Sequence, residues 1–423
     1  MAKQGPQAGI LNRPPQHLLL ATFNFSGADA RATLDALRGL VERELRSDLD
    51  APNAPEAKEQ PSAETGELGF HDDYDRAFLT ITLGISSSGF EKLGIDEAER
   101  PQDLRPIPWG NLVDSPPSSE SGDIVLQICA DNLYICEHVV RRIEEEQGEE
   151  LTVVSTAIGA QRYNSRSGRT SRREGRALIG FLDGTSNLDP RNSAEDQKLV
   201  FVDPDNVSYP QNPPPGELPT PNPYGGEGAP KPQFPEDLHS VPGSEPAWTK
   251  DGSYMVVRTS TFDTRSWDKL TQNDQERSVG RFKFSGASLD LHDEEAQLEM
   301  PPVFASDQTN TAVPIAAHIR KANPRGGDED AQRRIFRRGY PLIAPTAGGL
   351  QRGLIFIAFG RTITTQFEFI VRAWIRNKDF PVSDAGVDPL FAKVGETVLG
   401  GGYYFVPPLE EKTHPWTWKL PLS

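Results

Sequence analysis

The chain is expected to fold as an α+β protein made of two ferredoxin-like (βαββαβ) units with antiparallel sheets. Three observations carry that expectation. Apolar stretches of strand length and amphipathic stretches of helix length follow one another as β-α-β-β-α-β across residues 17–163. A second set can be drafted between Tyr254 and Val406, although no sequence repeat ties the two sets together. The length, 423 residues, suits two or three average domains or one large duplicated one.

Residues 17–25 read as the first strand, and 30–45 as a helix with Leu34, Leu37 and Val41 on one face. Residues 52–69 are polar and rich in Glu, Ala and Pro, the composition of a loop. The second strand spans 76–85, with a short helix around 90–93, and the third spans 123–130. In 132–146, Ile135, Val139 and Ile143 recur four apart, giving an amphipathic helix that ends in a solvated acidic run. Residues 151–163 supply the fourth strand, and both helices then cover one face of the sheet. In the second set, 254–262 is strand-like, 266–277 helical and 354–361 an apolar strand. A helix over 364–375 buries Phe367, Ile370, Val371 and Trp374, and 402–406 closes the set. The units divide as an N-terminal half, 1–178, and a C-terminal half, 179–423. Thirteen of the 37 prolines fall in 204–246. That density excludes a long helix or a central strand and predicts an extended surface insert, either a plain loop or a docking segment.

The net charge of −17 argues against nucleic acid and against anionic membranes, both of which need clustered Lys and Arg. No apolar run reaches the roughly 18 residues of a membrane span, and residues 1–16 lack an export-signal pattern. Cytoplasmic residence is therefore expected. The proline-rich and polar inserts account for part of the low mean hydropathy of −0.53. Cys129 and Cys136 are too few for a disulfide framework and read as small core residues. No Walker, dinucleotide-binding, zinc-spacing or nucleophile-elbow pattern is present.

Three separated segments carry the chemistry. The first is Gly180-Phe181-Leu182-Asp183-Gly184-Thr185-Ser186-Asn187, in which an apolar run delivers a carboxylate against Phe181 and Leu182, where burial tunes acidity. An ordinary Asp-Gly turn would look the same. The second is His318-Ile319-Arg320-Lys321-Ala322-Asn323-Pro324-Arg325, preceded by the apolar run 313–317 and followed by cations. The third is Arg337-Arg338-Gly339-Tyr340-Pro341. In an extended segment its two arginines point to opposite sides, so one of them can face inward.

In this order the three segments resemble the active-site signatures of the dye-decolorizing peroxidases, a family of haem enzymes. Other pieces are similar as well: Glu91-Lys92-Leu93-Gly94, Gly252-Ser253-Tyr254 with Arg258, Gly280-Arg281, and Phe367-Glu368-Phe369 with Trp374. The resemblance covers residues 17 to about 406 and points to the larger, non-exported bacterial type. It implies that the two units enclose a pocket for one haem b per chain. His318 would be the iron ligand, with Asn187, Arg320 and Arg337 as further haem-binding residues; an apolar wall and flanking cations suit the macrocycle and its propionates. Asp183 would shuttle a proton within hydrogen peroxide, and Arg337 would stabilise the departing oxygen. The resulting ferryl haem would oxidise dyes, phenolics or other small aromatic reductants. Arg338 remains the competitor of Arg337. Asp388, in Gly386-Val387-Asp388-Pro389, is either the partner of the ligand histidine or a turn aspartate. Trp374 is a candidate surface oxidation site, with Tyr340 beside it, though either could serve core packing. Two other readings stay open: a haem-handling protein with incidental peroxidase activity, and an interaction protein that docks through 204–246. A homodimer is also compatible with an acidic duplicated sheet protein.

Overall fold

Strand β1, His17–Phe25, is apolar on both faces because both are covered. Leu19, Ala21 and Phe23 join a cluster beneath the N-terminal helices, while Leu18 and Leu20 enter a second cluster on the opposite side. The computed structural model describes residues 4–50, 78–117, 121–161, 175–205, 230–235, 238, 243–291, 311–346, 349–410 and 417–421. The 52–69 loop and most of the 204–246 insert lie outside these residues.

The N-terminal half adds β2, Thr80–Ile85, β3, Ile124–Ala130, and β4, Leu151–Ala160. Its helices are α1, Ala30–Asp50, and α2, Leu133–Gln147. Leu34, Leu37 and Val41 of α1 meet Ile135, Val139 and Ile143 of α2 in one core, as the helical spacing predicts. Asn132 caps α2 by accepting from the Tyr134 amide at 3.0 Å.

The C-terminal half contains β5, Ser253–Thr261, β6, Phe336–Arg337, β7, Tyr340–Thr346, β8, Gly349–Gly360, and β9, Thr397–Val406. Taking β7 as its second strand, each half sets its strands side by side in the order second, third, first, fourth, with antiparallel pairing throughout. The repeated order is the duplication that the sequence does not display. Gly159 pairs with Leu342 and Phe405 with Ile85, so the two four-stranded sets close into one barrel-like sheet. Its interior is apolar from both sides, with Leu18, Leu20 and Val125 against Met255, Ile355 and Tyr404.

Three elements differ from expectation. Strand β7 is absent from the drafted second set because Pro341 and Pro345 weaken its strand signal. The helix drafted over 266–277 is two pieces, Thr264–Asp268 and α3, Gln272–Val279, because the Thr271 hydroxyl starts a new helix by accepting from the Asp274 amide at 3.1 Å. The helix expected over 364–375, α5, is a wide π-type helix over Ile363–Glu368 and Ile370–Ile375, buried around its circumference rather than along one stripe. Short helices α4, His318–Ala322, and α6, Pro389–Lys393, complete the part of the fold that positions the site. Both cysteines are free and buried. Among the described residues no helix is long and apolar enough to cross a membrane.

Candidate active site

A cavity of about 740 Å3 opens between the outer face of the C-terminal sheet, α4, α5, α6 and the 177–186 segment, and its size falls within the roughly 300–1,000 Å3 of ordinary ligand pockets. Leu354 and Phe356 of β8, Phe367, Ile370 and Val371 of α5 and Leu390 of α6 form apolar walls. On one side stands His318, the first residue of α4. Its Nδ1–H donates to Asp388 Oδ2 at 2.6 Å, and its ring meets Phe391 edge-on at 5.8 Å. Asp388 is 3% exposed, and its Oδ1 accepts from the Leu390 amide at 2.9 Å, capping α6. One carboxylate therefore serves both as the turn residue and as the histidine partner. With Nδ1 engaged, Nε2 is the ring nitrogen left for a metal ligand bond, since an oriented histidine holds its other nitrogen on an acceptor.

Asp183 lines the same cavity from the 177–186 segment. Its backbone amide donates to the Gly175 carbonyl at 2.9 Å, and its Oδ1 accepts from the Gly184 amide at 2.7 Å, with Gly184 at a positive φ of 78°. Here too the turn and the cavity placement coexist. Three arginines hold the chain just after it: Arg337 Nη2 donates to the Thr185 carbonyl at 2.9 Å, Arg281 Nη2 to Ser186 Oγ at 3.1 Å, and Arg334 Nη2 to the Ser186 carbonyl at 3.2 Å.

These arginines and Arg325 form a cationic rim. Burial pushes Arg281 down to about 10, with the neighbouring Arg337 charge adding to the effect. Burial likewise pushes Arg325 down to about 10, reinforced by Arg281 and Arg334. Arg334 is also lowered, mainly by burial, against the pull of Asp196. Desolvated cations that repel one another favour an anionic ligand, which would relieve both costs.

The adjacent arginines part as strand alternation requires. Arg337 faces the cavity, whereas Arg338 is 2% exposed and turns the other way, donating to the Ile10 carbonyl at 3.5 Å and to the Asn12 carbonyl. Two expected cofactor contacts lie elsewhere. The Asn187 side chain clasps the Arg337 backbone, accepting from its amide at 3.0 Å and donating to its carbonyl at 2.8 Å, and it does not line the cavity. Arg320 is buried beneath α4 and donates to the Val313 carbonyl at 3.1 Å, also off the cavity. The surface oxidation candidates require correction. Trp374 is 1% exposed and stacks on Phe380 at 5.6 Å, and Tyr340 is fully buried with its hydroxyl donating to the Pro15 carbonyl at 3.1 Å. Neither reaches the surface, because α5 is covered all round and β7 faces the barrel interior. Sequence reasoning gave Arg281 no role and passed over Arg334. Each sits next to a quoted motif, but only the fold brings them to one rim.

Family models for the two parts of one enzyme family match this chain: Dyp-type peroxidase, N-terminal, over residues 7–161, and Dyp-type peroxidase, C-terminal, over residues 225–411. The chain belongs to the Dyp-type peroxidase family. It is a haem-dependent oxidoreductase by that membership. Solved Dyp-type peroxidases share the fold: the Streptomyces coelicolor protein gives a TM-score of 0.69 at 23% identity, covering 98% of this chain and 95% of that one. The Cellulomonas bogoriensis protein gives 0.67 at 22% identity, covering 100% and 96%. Among curated relatives, the deferrochelatase of Escherichia coli K12 is 27% identical over 411 residues, 95% of this chain and 82% of the relative. The residues present fit the haem of a Dyp-type peroxidase: one oriented imidazole, apolar walls for the macrocycle, and an anion-seeking arginine rim for its propionates.

Proposed function

We propose that this Dyp-type peroxidase reduces hydrogen peroxide at the 740 Å3 cavity and oxidises small aromatic reductants such as phenols and dyes, using one haem b per chain. The observation that carries the reading is convergence: His318, Asp183 and Arg337 come from three separate segments and line one cavity. Bound haem supplies the redox-active iron at which peroxide is reduced and reductants are oxidised. His318 Nε2 would hold that iron, and Asp388 fixes the imidazole by accepting from Nδ1–H at 2.6 Å. Asp183 moves a proton from the near oxygen of peroxide to the departing one, work worth about 10²–10⁴-fold in rate. The carboxylate oxygen not engaged by Gly184 is the one available for that transfer. The Arg337 guanidinium, steadied by the Thr185 carbonyl, stabilises negative charge on the departing oxygen, worth on the order of 3–4 kcal/mol for one preorganised donor. The remaining arginines of the rim, Arg281, Arg325 and Arg334, would hold the propionates.

The relatives named deferrochelatase support a second reading, haem handling with incidental peroxidase activity, since that name denotes removal of iron from a chelate. Handling a chelate needs a ligand and a cavity but neither a proton shuttle nor an oxyanion donor, and Asp183 and Arg337 favour the peroxidase reading. A purified sample separates the two. The peroxidase reading expects a Soret band and rapid peroxide-dependent dye bleaching that Asp183→Asn or Arg337→Leu abolishes. A Soret band with slow bleaching, indifferent to those substitutions, selects haem handling. A protein that stays colourless with added haem overturns both.

A further inference from the structure

Lys321 is fully buried in α4, three residues after His318, and takes no part in the chemistry above. Its Nζ donates to the Asn377 carbonyl at 2.6 Å and to the Gly386 carbonyl. Those two carbonyls stand at the two ends of the 377–386 turn, and Asp388 follows two residues later. The same neck is tied by the Gly386 amide to the Lys378 carbonyl at 2.8 Å and by the Asp388 amide to the Ile375 carbonyl at 2.9 Å. Two part-buried carbonyls converging on one point repel each other unless a donor sits between them; without Lys321 the Gly386 carbonyl loses this donor and the Asn377 carbonyl keeps the Phe380 amide at 3.3 Å. We propose that Lys321 is a positioning residue for the axial histidine: its ammonium closes the neck of the 377–386 turn and thereby holds Asp388 on His318 Nδ1. This rests on the reading of His318 as the iron ligand.

The charge of Lys321 contributes a second effect. Burial pushes its pKa down to about 8, while the Asp388 and Asp379 carboxylates work against that fall. The Asp388 bond on Nδ1–H makes Nε2 a stronger donor to iron and favours the ferric state. Removing Lys321 then has two opposed consequences for the potential. Loss of a nearby positive charge lowers it, whereas loss of the Asp388 bond raises it. Loss of the Asp388 bond is expected to dominate, because Asp388 bonds His318 directly at 2.6 Å whereas Lys321 acts through the turn.

The test uses the full chain with Lys321→Met, which is apolar and of similar length, beside Asp388→Asn. In the haem-free protein labelled at histidine, the His318 Nδ1 proton is expected as a protected downfield signal that both substitutions remove. In the haem-loaded protein, Lys321→Met is expected to move the ferric–ferrous equilibrium about tenfold toward ferrous, upward by about 59 mV for a one-electron couple. In the Asp388→Asn background it should cause no further upward shift. If Lys321→Met does not fold, Lys321→Gln, which keeps one donor and no charge, should shift both readouts in the same direction by less. A folded variant with an intact Nδ1 signal, or with a potential that falls or stays put, overturns the proposal. The haem-free signal tests the clamp by itself; a His318→Ala variant with an unchanged haem spectrum would instead remove the axial reading.

Discussion

Asn187 and Arg337 lie 150 positions apart, yet the Asn187 carboxamide meets the Arg337 amide at 3.0 Å and its carbonyl at 2.8 Å, as a neighbouring strand would. That clasp sets where the guanidinium points. Asn187→Ala leaves two backbone groups of Arg337 without partners, at a cost of about 1–3 kcal/mol for a buried polar group. The expected outcome is a slower reaction with peroxide and an unchanged Soret maximum, read by stopped-flow absorbance; a displaced Soret maximum would mean that Asn187 touches haem after all. His318, which lines the cavity, had local signals, an apolar run before it and cations after it, and the family resemblance singled it out among the histidines. The work of Asn187 was not, because its partner is remote in sequence and a polar residue near a turn carries no mark of what it clasps. Arg338 was separable from Arg337 only by which side of a strand each occupies.

At the scale of elements, α3 and α4 meet at Gly280. This glycine ends α3 at φ 96°, in the left-handed region, and a Cβ there would lie 2.6 Å from Ile319, the residue after His318. Gly280→Ala should therefore strain the C-cap and push α4. The expected loss is about 1–3 kcal/mol of stability, with weaker haem retention, read by thermal melting and by haem transfer to an acceptor protein. Unchanged haem retention would mean that α4 is held by other contacts. Element spacing was largely readable in the N-terminal half, where Leu34, Leu37 and Val41 face Ile135, Val139 and Ile143. It failed at β7, whose prolines hide a strand, and at α5, whose π-type winding has no stripe for a 3.6-residue period to detect. Trp374 was expected on the buried side of this helix and is buried there, which leaves core packing and removes it as a surface oxidation site.

Across the whole molecule, the two halves close a single sheet, and the segment leading into β5 buries an ionisable group. Glu245 is 6% exposed and accepts from the Tyr254 hydroxyl and from the Gln102 amide at 3.1 Å. Burial raises its carboxyl from 4.5 to about 7. A carboxyl raised in the folded state keeps its proton while the unfolded chain ionises, so the folded state binds more protons and stability falls as pH rises through that window. At about 1.36 kcal/mol per pH unit, the loss between pH 4.5 and 7 is about 3 kcal/mol. Glu245→Gln should match the parent in urea midpoint near the acid end and exceed it above neutrality. Parallel profiles across the range would mean that Glu245 is ionised in the folded protein. The duplication itself was visible only as similar element orders, because strand order and closure depend on pairings such as Gly159 with Leu342 that no local pattern encodes.

The central proposal is that Asp183 and Arg337 act together on peroxide in the cavity where His318 would hold the haem iron. The most direct test is the second-order rate constant of the haem-loaded protein with hydrogen peroxide, measured by stopped-flow for the parent, Asp183→Asn, Arg337→Leu and the double variant. Each single substitution is predicted to slow the reaction by about 10²-fold or more, with the Soret band retained. The double variant should fall short of the product of the two, because residues acting on one step are not additive. Single variants that react at the parent's rate while keeping the parent's haem spectrum would contradict it.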